Sequence, residues 1–194
     1  MLAKFFQYIQ SLSDKRVSIA LYNAFKLIFP GALEPGTGAT AGTGTVYKST
    51  VSRDGDIIKT RILIDLTGLG SSTTDLDIIG VGTTAAHLGQ IKASKNGTIL
   101  TGRVTCLEVP AGGVTDIDLY CATEGTGAFD DGVAALTETV LLTNGGAWTL
   151  ALTKAIADFS ASADKYLYLT GGAAGTAGTY TAGKFLIELE GYDA

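Results

Sequence analysis

The stretch Asp56–Gly80, DIIKTRILIDLTGLGSSTTDLDIIG, decides the fold of this chain. Ile58, Thr60, Ile62, Ile64 and Leu66 fall on one parity, with Lys59, Arg61 and Asp65 on the other. Such alternation predicts a strand with one buried and one wet face. The run is rich in β-branched residues, and no Gly or Pro interrupts it before Gly68.

Outward toward the C-terminus, short apolar runs and turn signals keep alternating. The predicted strands are Val46–Ser52, Ile57–Leu66, Asp77–Val81, Gly97–Glu108, Val114–Ala122, Thr137–Leu142, Trp148–Leu152, Lys165–Thr170 and Lys184–Glu190. Asp54-Gly55, Asn96-Gly97, Gly112-Gly113, Asn144-Gly145-Gly146 and Gly171-Gly172 separate them, all strong turn chemistry. Ile117, Leu119 and Cys121 alternate with Asp116, Asp118 and Tyr120, and Phe185, Ile187 and Leu189 with Lys184, Glu188 and Glu190. A short helix fits Lys154–Phe159. The expected class is mainly β: an antiparallel β-sandwich, jelly-roll-like, carrying an N-terminal α-helical arm.

Toward the N-terminus the period changes. Phe5, Phe6, Ile9 and Leu12 recur at helical spacing, and Ser13-Asp14 fits the cap of a second helix. Val17, Ala20, Leu21, Ala24, Leu27 and Ile28 then form a broad apolar side, widened by Phe25 and Phe29, until Pro30-Gly31 stops it. Such a helix must dock, either on its own β body or on another subunit; a membrane surface is the weaker option. The expected division is a helical anchoring arm at 1–33, a flexible or extended Gly/Thr-rich linker at 34–45, and a β-sandwich domain at 46–194. Phe5, Phe6, Ile9, Leu21, Phe25 and Ile28 are the expected anchoring residues. Lys15 and Arg16 are expected to meet an acidic partner surface.

Composition narrows the function. The 194 residues include 26 Gly, only 17% are charged, and mean hydropathy is +0.29. A chain this apolar and this poor in charge suits a β-rich assembly protein that hides surface against partners. The net charge of −5 is uneven, with a basic stretch up to Leu33 and an acidic remainder. An acidic body argues against nucleic-acid binding. No apolar run near the start reaches the ~20 residues of a membrane span. Asp14, Lys15 and Arg16 also interrupt where the apolar core of a signal peptide would lie.

Catalytic chemistry finds little support. The Gly clusters at 36–44 and 171–178 lack the Lys-Ser/Thr of a phosphate loop. His87 is the single histidine and has no nucleophile elbow beside it. Trp148 reads as core filler, and Tyr166, Tyr168, Tyr180 and Tyr192 as interface or edge residues rather than a binding cage. Asp54 with Asp56, Asp75 with Asp77, Asp116 with Asp118 and Asp130 with Asp131 are close carboxylate pairs. None has the spacing of a calcium loop, and Asp116 and Asp118 occupy the outward parity of a strand, so a solvated acidic face is expected. No cofactor is expected, Ca²⁺ being the one alternative. Cys106 and Cys121 lie near the ends of strands that are possible hairpin neighbours. A bridge is conceivable, but two buried reduced thiols are expected.

RILIDLTGLGSSTTDLDIIGVG (61–82), VTDIDLYCATEGTG (114–127) and YTAGKFLIELEGYDA (180–194) together resemble structural proteins of marine tailed bacteriophages. The resemblance covers Asp56–Ala194 and leaves the helical arm aside. It implies a non-enzymatic β-sandwich virion protein on the capsid exterior, such as a head decoration or cement protein. Such a protein would bind the major capsid protein and act as a homo-oligomer, often a trimer. The rival expectation is a fibre or knob adhesion module that binds host glycans through loops such as Thr123–Asp131.

Overall fold

The computed structural model describes residues 31–192 apart from 158, 160–162, 174 and 176. The predicted helical arm therefore lies outside the described residues, apart from its last three positions. What is described is mainly antiparallel β.

The Asp56–Gly80 strand forms as read, at Ile57–Asp65 (β2). It pairs with Val46–Asp54 (β1) through a tight turn, where Gly55 takes a φ of 62° that L side chains rarely adopt. Its other edge receives Ala182–Tyr192 (β10), which pairs in turn with Thr98–Ala111 (β4); Thr153–Ala155 (β7) closes that side. The sheet order is β1-β2-β10-β4-β7. The register puts Ile62, Ile187 and Val104 in one inward row, and Ile64, Phe185 and Cys106 in the next. On the wet face Glu188 lies between Arg61 and Arg103, at 3.0 and 2.6 Å. Lys184 there reaches Asp65 at 3.1 Å and Glu108 at 3.5 Å.

A second sheet is ordered Glu138–Leu142 (β6), Ile117–Ala122 (β5), Tyr166–Gly171 (β8). The free edge of β8 is taken by an interrupted partner spanning 78–91. Ile79 N donates to Leu169 O, Leu88 N to Leu167 O and Ile91 N to Lys165 O. Ile78 also bridges Thr170, and Gln90 bridges Tyr166, both antiparallel. Gly70–Ser71 (β3) and Gly178–Thr179 (β9) make a small separate ladder.

One apolar cluster joins the two larger sheets, drawing Ile62, Val104, Phe185 and Ile187 together with Leu119, Cys121, Leu167 and Leu169. Trp148 fills its centre as expected, edge-on to Phe185 at 5.2 Å, with its indole N–H donating to Ile117 O. Cys106 and Cys121 are both buried, and neither is in a disulfide.

Four local expectations need correction. Trp148–Leu152 is not a strand, and the described residues of Lys154–Phe159 hold no helix. The open edge of β4 recruits Thr153–Ala155 as β7, and that pairing outweighs weak local preference. Asp77–Val81 makes only isolated bridges. A four-residue helix, Ala93–Asn96 (α1), is pinned by the buried Asn96, which accepts from Lys92 N and donates to Thr60 Oγ1 at 2.8 Å. Finally, 34–45 is not a loose tether. Leu33 and Ala39 are core residues, Thr37–Ala39 form a 3-10 turn, and Gly36 N and Gly38 N donate to His87 O and Ala85 O. Its glycines serve close packing, since a Cβ at Gly36 would sit 2.1 Å from Ala85 O.

Candidate functional site

Phe5, Phe6, Ile9, Lys15, Arg16, Leu21, Phe25 and Ile28, the anchoring residues expected from sequence, all lie outside the described residues. Within them, two other places stand out.

The first is a set of exposed apolar side chains on β4 and its neighbour. Leu100 is 61% exposed, Leu107 and Val109 42% each, and Leu150 66%. Each β4 member sits where the register with β10 slips. Residue 100 is the extra residue opposite Glu190/Gly191, and 107 the one opposite Lys184/Phe185; 109 falls in the slip opposite Gly183. Leu107 and Val109 share the outward parity of Arg103 and Thr105, whereas Leu100 shares the inward parity of Gly102 and Val104 and is exposed because the slip beside it reverses parity. Ala151 N donates to Cys106 O, so the backbone that carries Leu150 runs along that part of β4. Strand alternation gives no hint of bulges, and sequence reading missed this patch.

The second is acidic. Asp116 and Asp118 were expected on a solvated face, but they are 8% and 2% exposed. Every residue of β5 is buried, because a second apolar cluster of Ile78, Ala86, Tyr120, Ala122, Val133 and Tyr168 covers the sheet face turned away from the main core. Loops drawn over that face bury the carboxylates with it. Asp118 Oδ1 accepts from Asn144 N at 2.7 Å, Gly172 N donates to Asp116 O, and Lys154 Nζ donates to Asn144 O. Burial, with Asp116 and Asp75 nearby, pushes the Asp118 carboxyl above its ordinary value, against the Asn144 bond and the attraction of Lys154. The other carboxylate pairs do not form sites: Asp54 and Asp56 are exposed beside Lys59, and Asp131 holds Ala128 N at 2.8 Å.

The aromatic residues divide differently from the expectation. Tyr168 and Tyr180 are core residues, their hydroxyls donating to Glu124 O and Val114 O at 2.8 Å. Tyr166 is half-buried, and Tyr192 alone of the quartet is exposed. His87 packs at 4.7 Å from the Tyr166 ring, and burial lowers its pKa, which favours the neutral imidazole. In the Thr123–Asp131 loop Phe129 is half-buried and lines an open groove of about 350 Å³ with Gly68, Gly70, Gly80 and Thr179. Among the described residues no group of three or more His, Cys, Asp or Glu side chains forms a metal cluster, and no helix is long and apolar enough to cross a membrane.

No family model, curated protein or solved structure matches this chain.

Proposed function

We propose that this chain is a non-enzymatic virion structural protein, a head decoration or cement protein that binds the major capsid protein on the capsid exterior and stabilises the shell. Its body is read as a β-sandwich of jelly-roll type. The observation that carries the reading is strand order. From β2 onward the two larger sheets read β2-β10-β4-β7 and 78–91-β8-β5-β6. Every step along the chain changes sheet except β5 to β6, which is the path of an eight-stranded jelly roll, an architecture common in capsid proteins. On this reading β1 is an added edge strand.

Function would then be mechanical. The arm, through Phe5, Phe6, Ile9, Leu21, Phe25 and Ile28, and the β4 patch of Leu100, Leu107, Val109 and Leu150 bury apolar surface against neighbouring subunits. Lys15 and Arg16 meet acidic groups there. At ~25 cal/mol per Å², a few hundred Å² per copy repeated over a shell outweighs the ordering cost of each contact. A homo-oligomer, with a trimer favoured, supplies the multivalency.

The test is co-sedimentation with shells assembled from major capsid protein. The full chain should bind, and a chain beginning at Gly31 should lose most of that affinity. Undiminished binding by the shorter chain removes the arm from the mechanism; no binding by the full chain overturns the decoration reading. Phe129 at the groove favours the second reading, a fibre or knob module that binds host glycans, which glycan-array binding by the full chain would support.

A further inference from the structure

We propose that the buried polar cluster of Asp116, Asp118, Asn144 and Thr170 binds a single Ca²⁺ ion.

The argument begins with oxygen atoms that lack partners. Asp116 Oδ1, Asn144 Oδ1 and Thr170 Oγ1 are buried without a hydrogen-bond partner. Their residues are 8%, 6% and 0% exposed. All three belong to one place. Thr170 is the cross-strand partner of Asp118 in the β5–β8 ladder, so the two side chains share a face. Asn144 is held there by its N–H bond to Asp118 Oδ1. Its amide nitrogen is occupied by Gly146 O, which fixes which end of the amide is left over.

Buried acceptors without donors are costly, and two carboxylates side by side more so. Lys154 is the nearby cation; one of its three N–H donors goes to Asn144 O, and none reaches Asp116 Oδ1, Asn144 Oδ1 or Thr170 Oγ1. A proton on one carboxyl would answer one acceptor and leave the others open. A cation answers all of them at once.

The glycine beside them points the same way. A Cβ on Gly172 would lie 2.8 Å from both Asp116 Oδ1 and Asp118 Oδ1. The two oxygens therefore converge on one space. Gly172 does not adopt the left-handed backbone that would itself demand glycine, so the constraint there is room next to the carboxylates.

The donor set selects the ion. Carboxylate, amide and hydroxyl oxygens, with no nitrogen or sulfur ligand, suit a hard cation. Mg²⁺ usually keeps several waters, whereas Ca²⁺ accepts irregular cages of protein oxygen, which these buried side chains offer. The sequence offered the Asp116 and Asp118 pair, with Ca²⁺ as the alternative, but not Asn144 and Thr170, which come from the loop after β6 and from β8.

Calorimetric titration of the metal-free full chain with CaCl2 tests the proposal, alongside melting with CaCl2 or with chelator. One ion should bind per chain, melting should shift upward with calcium, and MgCl2 should compete poorly. Asp116→Asn should weaken calcium binding by at least about a hundredfold, the upper end of what outer-shell losses alone cost. The metal-free variant should melt no lower than the metal-free parent, because one buried charge is gone. Gly172→Ala should abolish the calcium-induced shift. No saturable binding up to about 10 mM CaCl2, beyond the weakest extracellular calcium modules, overturns the proposal. So does unchanged affinity in Asp116→Asn, or Mg²⁺ binding as tightly as Ca²⁺. Should the variants fail to fold, Tb³⁺ luminescence on the unmodified chain decides: emission excited through Trp148 or Tyr120 and quenched by CaCl2 supports the site, and its absence refutes it.

Discussion

Truncating Phe185 should reveal how strongly the two larger sheets depend on each other. Its side chain is fully buried in the middle of β10, in register with Ile64 on one side and Cys106 on the other. Across the core it meets Trp148 edge-to-face, at 5.2 Å and 77°. Phe→Ala at a site of this kind costs about 3–5 kcal/mol through lost transfer energy and the cavity left behind. The lost ring pair, worth about 0.5–1.5 kcal/mol beyond area, pushes the value toward the upper end. Against a typical total of about 5–15 kcal/mol, Phe185→Ala should lower the urea midpoint by a third or more. Trp148 is the only tryptophan and touches the altered site, so its fluorescence reports the transition, with circular dichroism as an independent probe. Tyr192→Ala, at an exposed position, is the control and should change stability by about 0.5 kcal/mol or less. A loss below about 1 kcal/mol in Phe185→Ala would refute the shared core.

Cys106 and Cys121 should resist a thiol reagent in the native protein and titrate as two free thiols in denaturant; a single mixed or missing signal would indicate a bridge. Burial pushes Tyr47 and Tyr168 up to about 12, so the folded chain keeps protons that the unfolded chain releases near pH 10. Stability is therefore complete below about pH 10 and falls as pH rises toward 12, which tyrosinate absorbance and circular dichroism should register together. At Asp65 burial opposes the charge, but Thr67 and the Lys184 ammonium together hold the carboxyl below its usual range. Its contribution is present above the ordinary value of about 3.9 and disappears as pH falls through the lowered one. Asp65→Asn should make the acid limb of stability shallower, by a small amount because the pair is solvent-screened. An unchanged acid midpoint would assign that limb to other groups.

Much of the antiparallel framework was legible because its strands have one wet face. Ile58 through Leu66 and Lys184 through Glu190 alternate cleanly, and the ion pairs of Glu188 and Lys184 occupy the polar parity. Where both faces are covered, period two loses its meaning. Asp116 and Asp118 looked solvated for that reason, since only segments from elsewhere in the chain, with Ile78, Ala86 and Val133 among them, cover that face. Bulges defeat the reading in another way. Leu100 falls on the parity of Gly102 and Val104 yet is exposed, because the slip beside it reverses parity, which no local composition announces. The Gly-rich 34–45 segment misled because glycine permits close packing as readily as flexibility, and Gly36 and Gly38 use it for contact with Ala85. β7 was missed because three residues pairing on an open edge carry almost no sequence signature.

The central claim, that this is an assembling structural protein, is tested most directly by its mass in solution. Light scattering with size-exclusion chromatography on the full chain, and on a chain beginning at Gly31, measures it. The shorter boundary keeps Leu33 and Ala39 in the core, where a start at Val46 would remove them. A defined oligomer for the full chain, with a trimer favoured, and a smaller folded species for the shorter one is the expected result. A full chain that stays monomeric at every concentration would contradict it.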